Sequence, residues 1–134
     1  MMWKQLSYLL DGVYVAGTKK MGRGVFTKVA IPAGTIIEVA PVLVMSDEDR
    51  LKLDKTLLHD YIFEWGENKD QCVMALGYIS MYNHSYHSNC HYEMYFKKET
   101  MVIKTVRNIK AKEELFINYN GEWNNENKVW FDTF

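Results

Sequence analysis

Residues 81–92 read MYNHSYHSNCHY, and the meaning given to these twelve positions decides the rest of the chain. Three histidines (His84, His87, His91), one cysteine (Cys90), two asparagines (Asn83, Asn89) and three tyrosines (Tyr82, Tyr86, Tyr92) stand together. Histidine and cysteine ligate metals, so a metal site is the first reading. On a helix His84, His87 and His91 would share a face. However, Asn83, Ser85 and Asn89 interrupt any helix-favouring run, and no CxxC pair stands nearby. A thiol nucleophile at Cys90 is a second reading, but a cysteine beside a strand is more often a small core hydrophobe. The third is an organic ligand, because asparagine side chains and open backbone suit the edge of a purine ring. Tyrosines would add an apolar wall with a polar tip.

Outward from this stretch the chain alternates short apolar runs with turns. Val13–Val15 begins a strand, and MGRGVF (21–26) places Gly22 and Gly24 around Arg23, a turn where backbone can approach a ligand closely. IPAG (31–34) is a second turn. TIIEVAPVLVM (35–45) is rich in β-branched residues, with Pro41 predicting an edge position or a bend. Ser46, followed by Asp47, Glu48 and Asp49, predicts a capped helix start, the helix carrying Leu51, Leu57 and Leu58 inward and ending near His59. DYIFEW (60–65) and QCVMAL (71–76) predict a hairpin around GENKD. A second hairpin joins 93–97 to 101–106, and LFINY (115–119) is a last short strand. The sum is a mainly β domain of short strands with one or two helical turns.

Composition narrows the function classes. The chain has 134 residues, enough for one domain with a real core, and 48% of them are hydrophobic. Sixteen basic residues against seventeen acidic ones leave a charge of −1, which argues against a dedicated nucleic-acid binder. Cys72 and Cys90 are too few for a disulfide framework, and MMWKQLSYLLDG lacks the pattern of a signal peptide. No run approaches a membrane span, so an intracellular protein with no membrane partner is expected, cytoplasmic if bacterial.

In chain order MGRGVF (21–26), TIIEV (35–39), DYIFEW (60–65), LGYISMYNHSYHSN (76–89) and EELFINY (113–119) resemble the SET-domain family of protein-lysine methyltransferases. The resemblance covers about residues 12–121, and the compact chain is similar to the small stand-alone SET proteins of bacteria and viruses. It implies a β-clip fold of short sheets with a knot-like C-terminal threading, in a single domain over residues 1–134 with a short aromatic tail from 122. The activity it implies is S-adenosylmethionine-dependent transfer of methyl to a lysine side chain in a tyrosine-lined channel. By that resemblance Met21, Gly22, Arg23, Tyr61, Asn83 and His84 bind S-adenosylmethionine, Tyr119 and Tyr92 are the catalytic and channel tyrosines, and no metal is expected. Taken singly, Tyr61, Tyr92 and Tyr119 would read as strand aromatics and Asn83 as a local turn residue.

The chain departs from the family pattern at Pro41, Met81, Tyr86, Ser88 and Asn118, the last preceding Tyr119 where an acid is usual. A catalytically inactive SET-like module that binds cofactor or peptide is therefore the alternative, and a metal-binding β protein a further one. A cysteine-rich, zinc-bound closing segment is not expected; Trp123, Trp130 or Phe131 would instead cover the cofactor or the substrate lysine, or pack on the core. Asp60, Glu64, Glu67 and Asp70 against Lys69 form an acidic stretch suited to a basic protein or peptide substrate, or simply a solvated hairpin. Methyl number and oligomeric state stay open, a dimer among the options.

Overall fold

The computed structural model describes residues 5–121. The readings for Trp123, Trp130 and Phe131 lie outside them. Ten strands follow in order: β1 (Tyr8–Leu9), β2 (Val13–Gly17), β3 (Arg23–Thr27), β4 (Ile36–Met45), β5 (Ile62–Trp65), β6 (Gln71–Ala75), β7 (Asn83–His84), β8 (Cys90–Tyr95), β9 (Thr100–Thr105) and β10 (Glu114–Ile117). One sheet has the order β5-β6-β4-β9-β8, with β1 also on β4; the other runs β2-β3-β10-β7. The expected hairpins are present as β5–β6 and β8–β9. Val25, Ile37, Val73, Ile79, Ile103, Leu115 and Ile117 form the core together with Tyr82, each of the aliphatic side chains contributing about 1.5–3 kcal/mol when fully buried. Among the described residues no helix is long and apolar enough to cross a membrane.

Two local expectations are corrected. Pro41 does not put β4 at an edge: the strand lies inside its sheet, paired with β9 on one side and with β1 and β6 on the other. The carbonyl of Pro41 accepts from Leu76 N, so its nitrogen faces the same side. There the pairing with β1 stops at Val39 and that with β6 starts at Val42, and the missing N–H falls in the seam between two partners.

The helix beginning at Ser46 does not run to His59. The Ser46 hydroxyl accepts from Asp49 N as expected, but α1 spans only Asp47–Leu53. Thr56 then accepts from Leu58 N and starts a separate 3-10 turn, Leu57–Asp60. None of the three leucines turns inward: Leu51 is 68% exposed and Leu57 75%, and Leu58 is exposed too. The segment lies over the end of β6 and buries none of its own residues.

Candidate functional site

The opening stretch and the last strand are built around each other. β10 lies between β3 and β7, antiparallel to the first and parallel to the second. Asn89, buried, clamps it: its Nδ2 donates to Glu114 O at 2.8 Å and its Oδ1 accepts from Phe116 N at 2.7 Å. Ser85 N donates to Ile117 O, and Asn118 Nδ2 donates to Tyr86 O at 3.2 Å. The C-terminal strand is thus held beneath the loop of residues 85–89. The amide of Asn118 does what the acid usual there would not, since a carboxylate cannot donate to that carbonyl. Ser88, another departure from the family pattern, donates its hydroxyl to Cys90 O at 2.6 Å.

Tyr119 emerges from this threading with both ends fixed. Its backbone N donates to His84 Nδ1 at 3.0 Å, which puts the proton of the neutral ring on Nε2. Its hydroxyl donates to Tyr82 O at 2.7 Å, and the His84 and Tyr119 rings lie 5.1 Å apart.

One cavity, of about 440 Å3, is lined by Met21, Gly22, Arg23, Tyr61, Asn83, His84 and Tyr119, together with Asp60, Ser80 and Met81. All six positions read as cofactor-binding therefore meet in one place. Gly22 has a φ of +69°, the left-handed region that glycine adopts without strain. Asn83 ties the glycine turn to the cavity floor, its Nδ2 donating to Arg23 O at 3.1 Å and to Glu114 Oε2 at 2.8 Å. A Cβ on Gly24 would lie 2.8 Å from Asn83 Nδ2 and closer still to the Glu114 carboxylate, so any larger residue would have to displace these two side chains. Burial pushes Glu114 up from the usual carboxylate value, and the Asn83 hydrogen bond opposes that.

A second cavity, of about 360 Å3, is lined by Tyr92 and Tyr119 with Ile62, Phe63, Met94 and Phe96 among its apolar wall, and with Asp60, Glu64 and Lys69 at polar positions. Both volumes fall within the roughly 300–1,000 Å3 of small-molecule sites. Asp60, Tyr61, Ser80 and Tyr119 line both cavities and form the partition between them. Burial, followed by the nearby Glu64 carboxylate, pushes the Tyr92 phenol up to about 12; burial, Tyr61, Asp60 and Glu114 do the same for Tyr119. Both phenols stay protonated at neutral pH, a state that suits a fixed dipole and not a base.

The histidines of the opening stretch diverge: His84 is turned under Tyr119, His91 pairs with Glu93 at 3.3 Å, and His87 is exposed. Among the described residues no three His, Cys, Asp or Glu side chains gather to hold an ion. Burial pushes the Cys90 thiol up to about 12, the reverse of nucleophile activation. Two contributors escaped the sequence reading. Ser80 donates to Tyr61 O at 2.9 Å and lines both cavities. Glu114 supports Asn83, and its only signal was its place in EELFINY.

Two cavities back to back, with a tyrosine in the wall between, have the form of a two-substrate group-transfer site. The SET domain family model matches residues 22–120. A histone-lysine N-methyltransferase of Schizosaccharomyces pombe, named as specific for lysine 37 of histone H3, is 35% identical over 119 residues, 88% of this chain and 76% of the relative. A Plasmodium falciparum protein provisionally assigned as a histone methyltransferase superposes with a TM-score of 0.67 at 27% identity, over 86% of this chain and 98% of that one. The SET portion of ctPRC2, in an autoinhibited conformation bound to S-adenosylmethionine, shares the fold at 21% identity and a TM-score of 0.67, over 81% of this chain and 15% of that one. The chain belongs to the SET domain family and is a protein-lysine methyltransferase of the S-adenosylmethionine-dependent class.

Proposed function

We propose that this chain binds S-adenosylmethionine in the cavity of Met21, Gly22, Arg23, Tyr61, Asn83 and His84, and methylates a lysine of a basic protein that enters through the Tyr92–Tyr119 cavity. The observation that carries this reading is the shared partition, since Tyr119 faces both spaces. The residues present fit the cofactor. Gly22 leaves backbone open at the cavity, and the Asn83 amide holds the turn against it. When bound, S-adenosylmethionine supplies the sulfonium methyl group.

The chain's own residues supply position and electrostatics. Approach from opposite sides of one wall turns a bimolecular encounter into a positioned one, worth about 7–11 kcal/mol in favourable cases. Phe63 and Tyr92, 5.4 Å apart, form an apolar sleeve with Met94 that desolvates a lysine side chain and lowers its ammonium pKa. Asp60 and Glu64 on the same cavity attract that side chain while it is still charged. Tyr119, its hydroxyl fixed on Tyr82 O, presents its dipole to the amine and the methyl group. The name of the fission-yeast relative makes a histone H3 tail the first basic substrate to try.

The test begins with calorimetric titration of the metal-stripped chain with S-adenosylmethionine, wild type beside Asn83→Ala. One-to-one binding, weakened by the substitution, is expected. A labelled-methyl assay on histone H3 then follows, with Tyr119→Phe expected to lose most of its turnover. Absence of binding, both alone and with the peptide present, would sink the reading.

A further inference from the structure

Among the described residues, one buried carboxyl group lies outside both cavities. Glu38, on β4, is 2% exposed in the middle of a sheet, paired with Leu9 on one side and Ile103 on the other. Its Oε2 accepts from Tyr78 N at 2.7 Å and its Oε1 from the Tyr82 hydroxyl at 3.1 Å. The backbone of Gly77 passes so close that a Cβ there would run into the carboxylate, and Gly77 is itself in the left-handed region at +65°. A single carboxylate therefore grips both ends of the 3-10 turn Ile79–Met81 and the glycine before it.

That turn is the rear support of the partition between the cavities. Ser80, in its middle, holds the carbonyl of Tyr61. Tyr82, at its end, offers the carbonyl that receives the Tyr119 hydroxyl. Asn83 and His84 follow directly. Glu38 touches neither cavity, yet each tyrosine common to both is tied by one hydrogen bond to the turn that Glu38 grips.

We infer that Glu38 is a positioning residue for methyl transfer: by bracketing residues 77–82 it sets where Tyr82 O holds the Tyr119 hydroxyl and where Ser80 holds Tyr61. The inference rests on the transfer reading above. A purely structural role would lower the amount of folded protein and leave the turnover of each folded molecule unchanged. A positioning role lowers turnover itself, because displacement of about 1 Å far from the reacting atoms costs on the order of a hundredfold.

The variants are Glu38→Ala, which removes both acceptors, Glu38→Gln, which keeps an oxygen for Tyr78 N and a polar group for Tyr82, and Tyr82→Phe, which removes one hydroxyl. Each is assayed at a temperature where its melting curve shows it folded, with kcat and the Kd for S-adenosylmethionine measured separately. For Glu38→Ala the expectation is a kcat lower by roughly tenfold to a hundredfold, a larger effect than any accompanying loss of affinity for S-adenosylmethionine. Glu38→Gln should recover kcat to within about threefold of wild type, and Tyr82→Phe should lose several-fold. Wild-type kcat in folded Glu38→Ala, or no recovery in Glu38→Gln, overturns the inference while leaving the transfer reading intact. If Glu38→Ala does not fold, Tyr82→Phe decides, and wild-type kcat there overturns it. A wild-type chain that binds S-adenosylmethionine but methylates no basic substrate overturns the transfer reading, and this inference with it.

Discussion

Glu38→Gln also changes how stability depends on pH, and the size of the change follows from the site. Burial lifts the Glu38 carboxyl from an ordinary 4.5 to about 7, against the lowering effect of the Tyr78 amide and the Tyr82 hydroxyl. The folded chain therefore holds this proton more tightly than the unfolded one. Stability from the protonated group is fully present below pH 4.5 and is lost as pH rises through about 7. At about 1.4 kcal/mol for each tenfold change, the whole excursion is roughly 3 kcal/mol.

Glutamine does not titrate, so the difference in unfolding free energy between Glu38→Gln and wild type should move by roughly 3 kcal/mol in favour of the variant between pH 4.5 and pH 8. For a chain of this length that is a relative shift in Tm on the order of 10 °C. The groups facing Glu38 are the Tyr82 hydroxyl and the Tyr78 amide from the turn, and the apolar Leu9 from β1 and Ile103 from β9. Glu93 and Glu113, held low by their hydrogen bonds, are common to both proteins and cancel. Urea and thermal unfolding at pH 4.5, 6, 7 and 8 measure the difference. A constant offset between the two proteins across that range would refute the reasoning, because it would mean that Glu38 carries the same charge folded and unfolded.

Gly24→Ala should weaken S-adenosylmethionine binding by at least about tenfold in calorimetry, since its Cβ displaces the Asn83 amide and the Glu114 carboxylate that support the cavity. Asp60→Asn combined with Glu64→Gln should raise KM for a lysine-rich peptide several-fold with a smaller change in kcat; added salt should narrow the gap to wild type as exposed charges are screened. Equal KM at low salt would show that the acidic wall does not recruit substrate. Asn118→Asp loses the donation to Tyr86 O and buries a carboxylate in its place, a cost above the roughly 1–3 kcal/mol of an unsatisfied neutral group in urea unfolding. The loss should be larger at pH 8 than at pH 5, where a protonated acid can donate again.

Local chemistry made much of the chain legible. The strand runs, the two hairpins and the Ser46 cap came from β-branched alternation, turn residues and a hydroxyl before an acidic first turn, all acting over a few residues. Where the expectation failed, distant or competing groups decided. Pro41 reads as an edge signal because strands usually have a partner at every position on both sides, yet here two partners on one side meet at that residue. The run from Ser46 to His59 reads as one helix, yet the helix stops at Leu53 and the Thr56 hydroxyl, accepting from Leu58 N, caps a separate 3-10 turn. Glu38 was visible as one charge inside TIIEVAPVLVM, but nothing local distinguishes a buried bracket from a solvated strand residue.

The sequence by itself determined the family, through five short motifs whose order along the chain is a linear property, and with it which side chains stand near the site. The tertiary structure decided what each does there. Asn83 and Asn89 are six positions apart and chemically identical. One holds the glycine turn of residues 21–23 while the other clamps the strand of residues 114–117. Met21 and Tyr119 share a cavity across nearly a hundred residues because β10 passes between β3 and β7. Hydrogen bonds and burial depend on distance in space, and Asn89 meets Phe116 N, and His84 meets Tyr119 N, at 2.7 and 3.0 Å only when this strand is drawn beneath the loop.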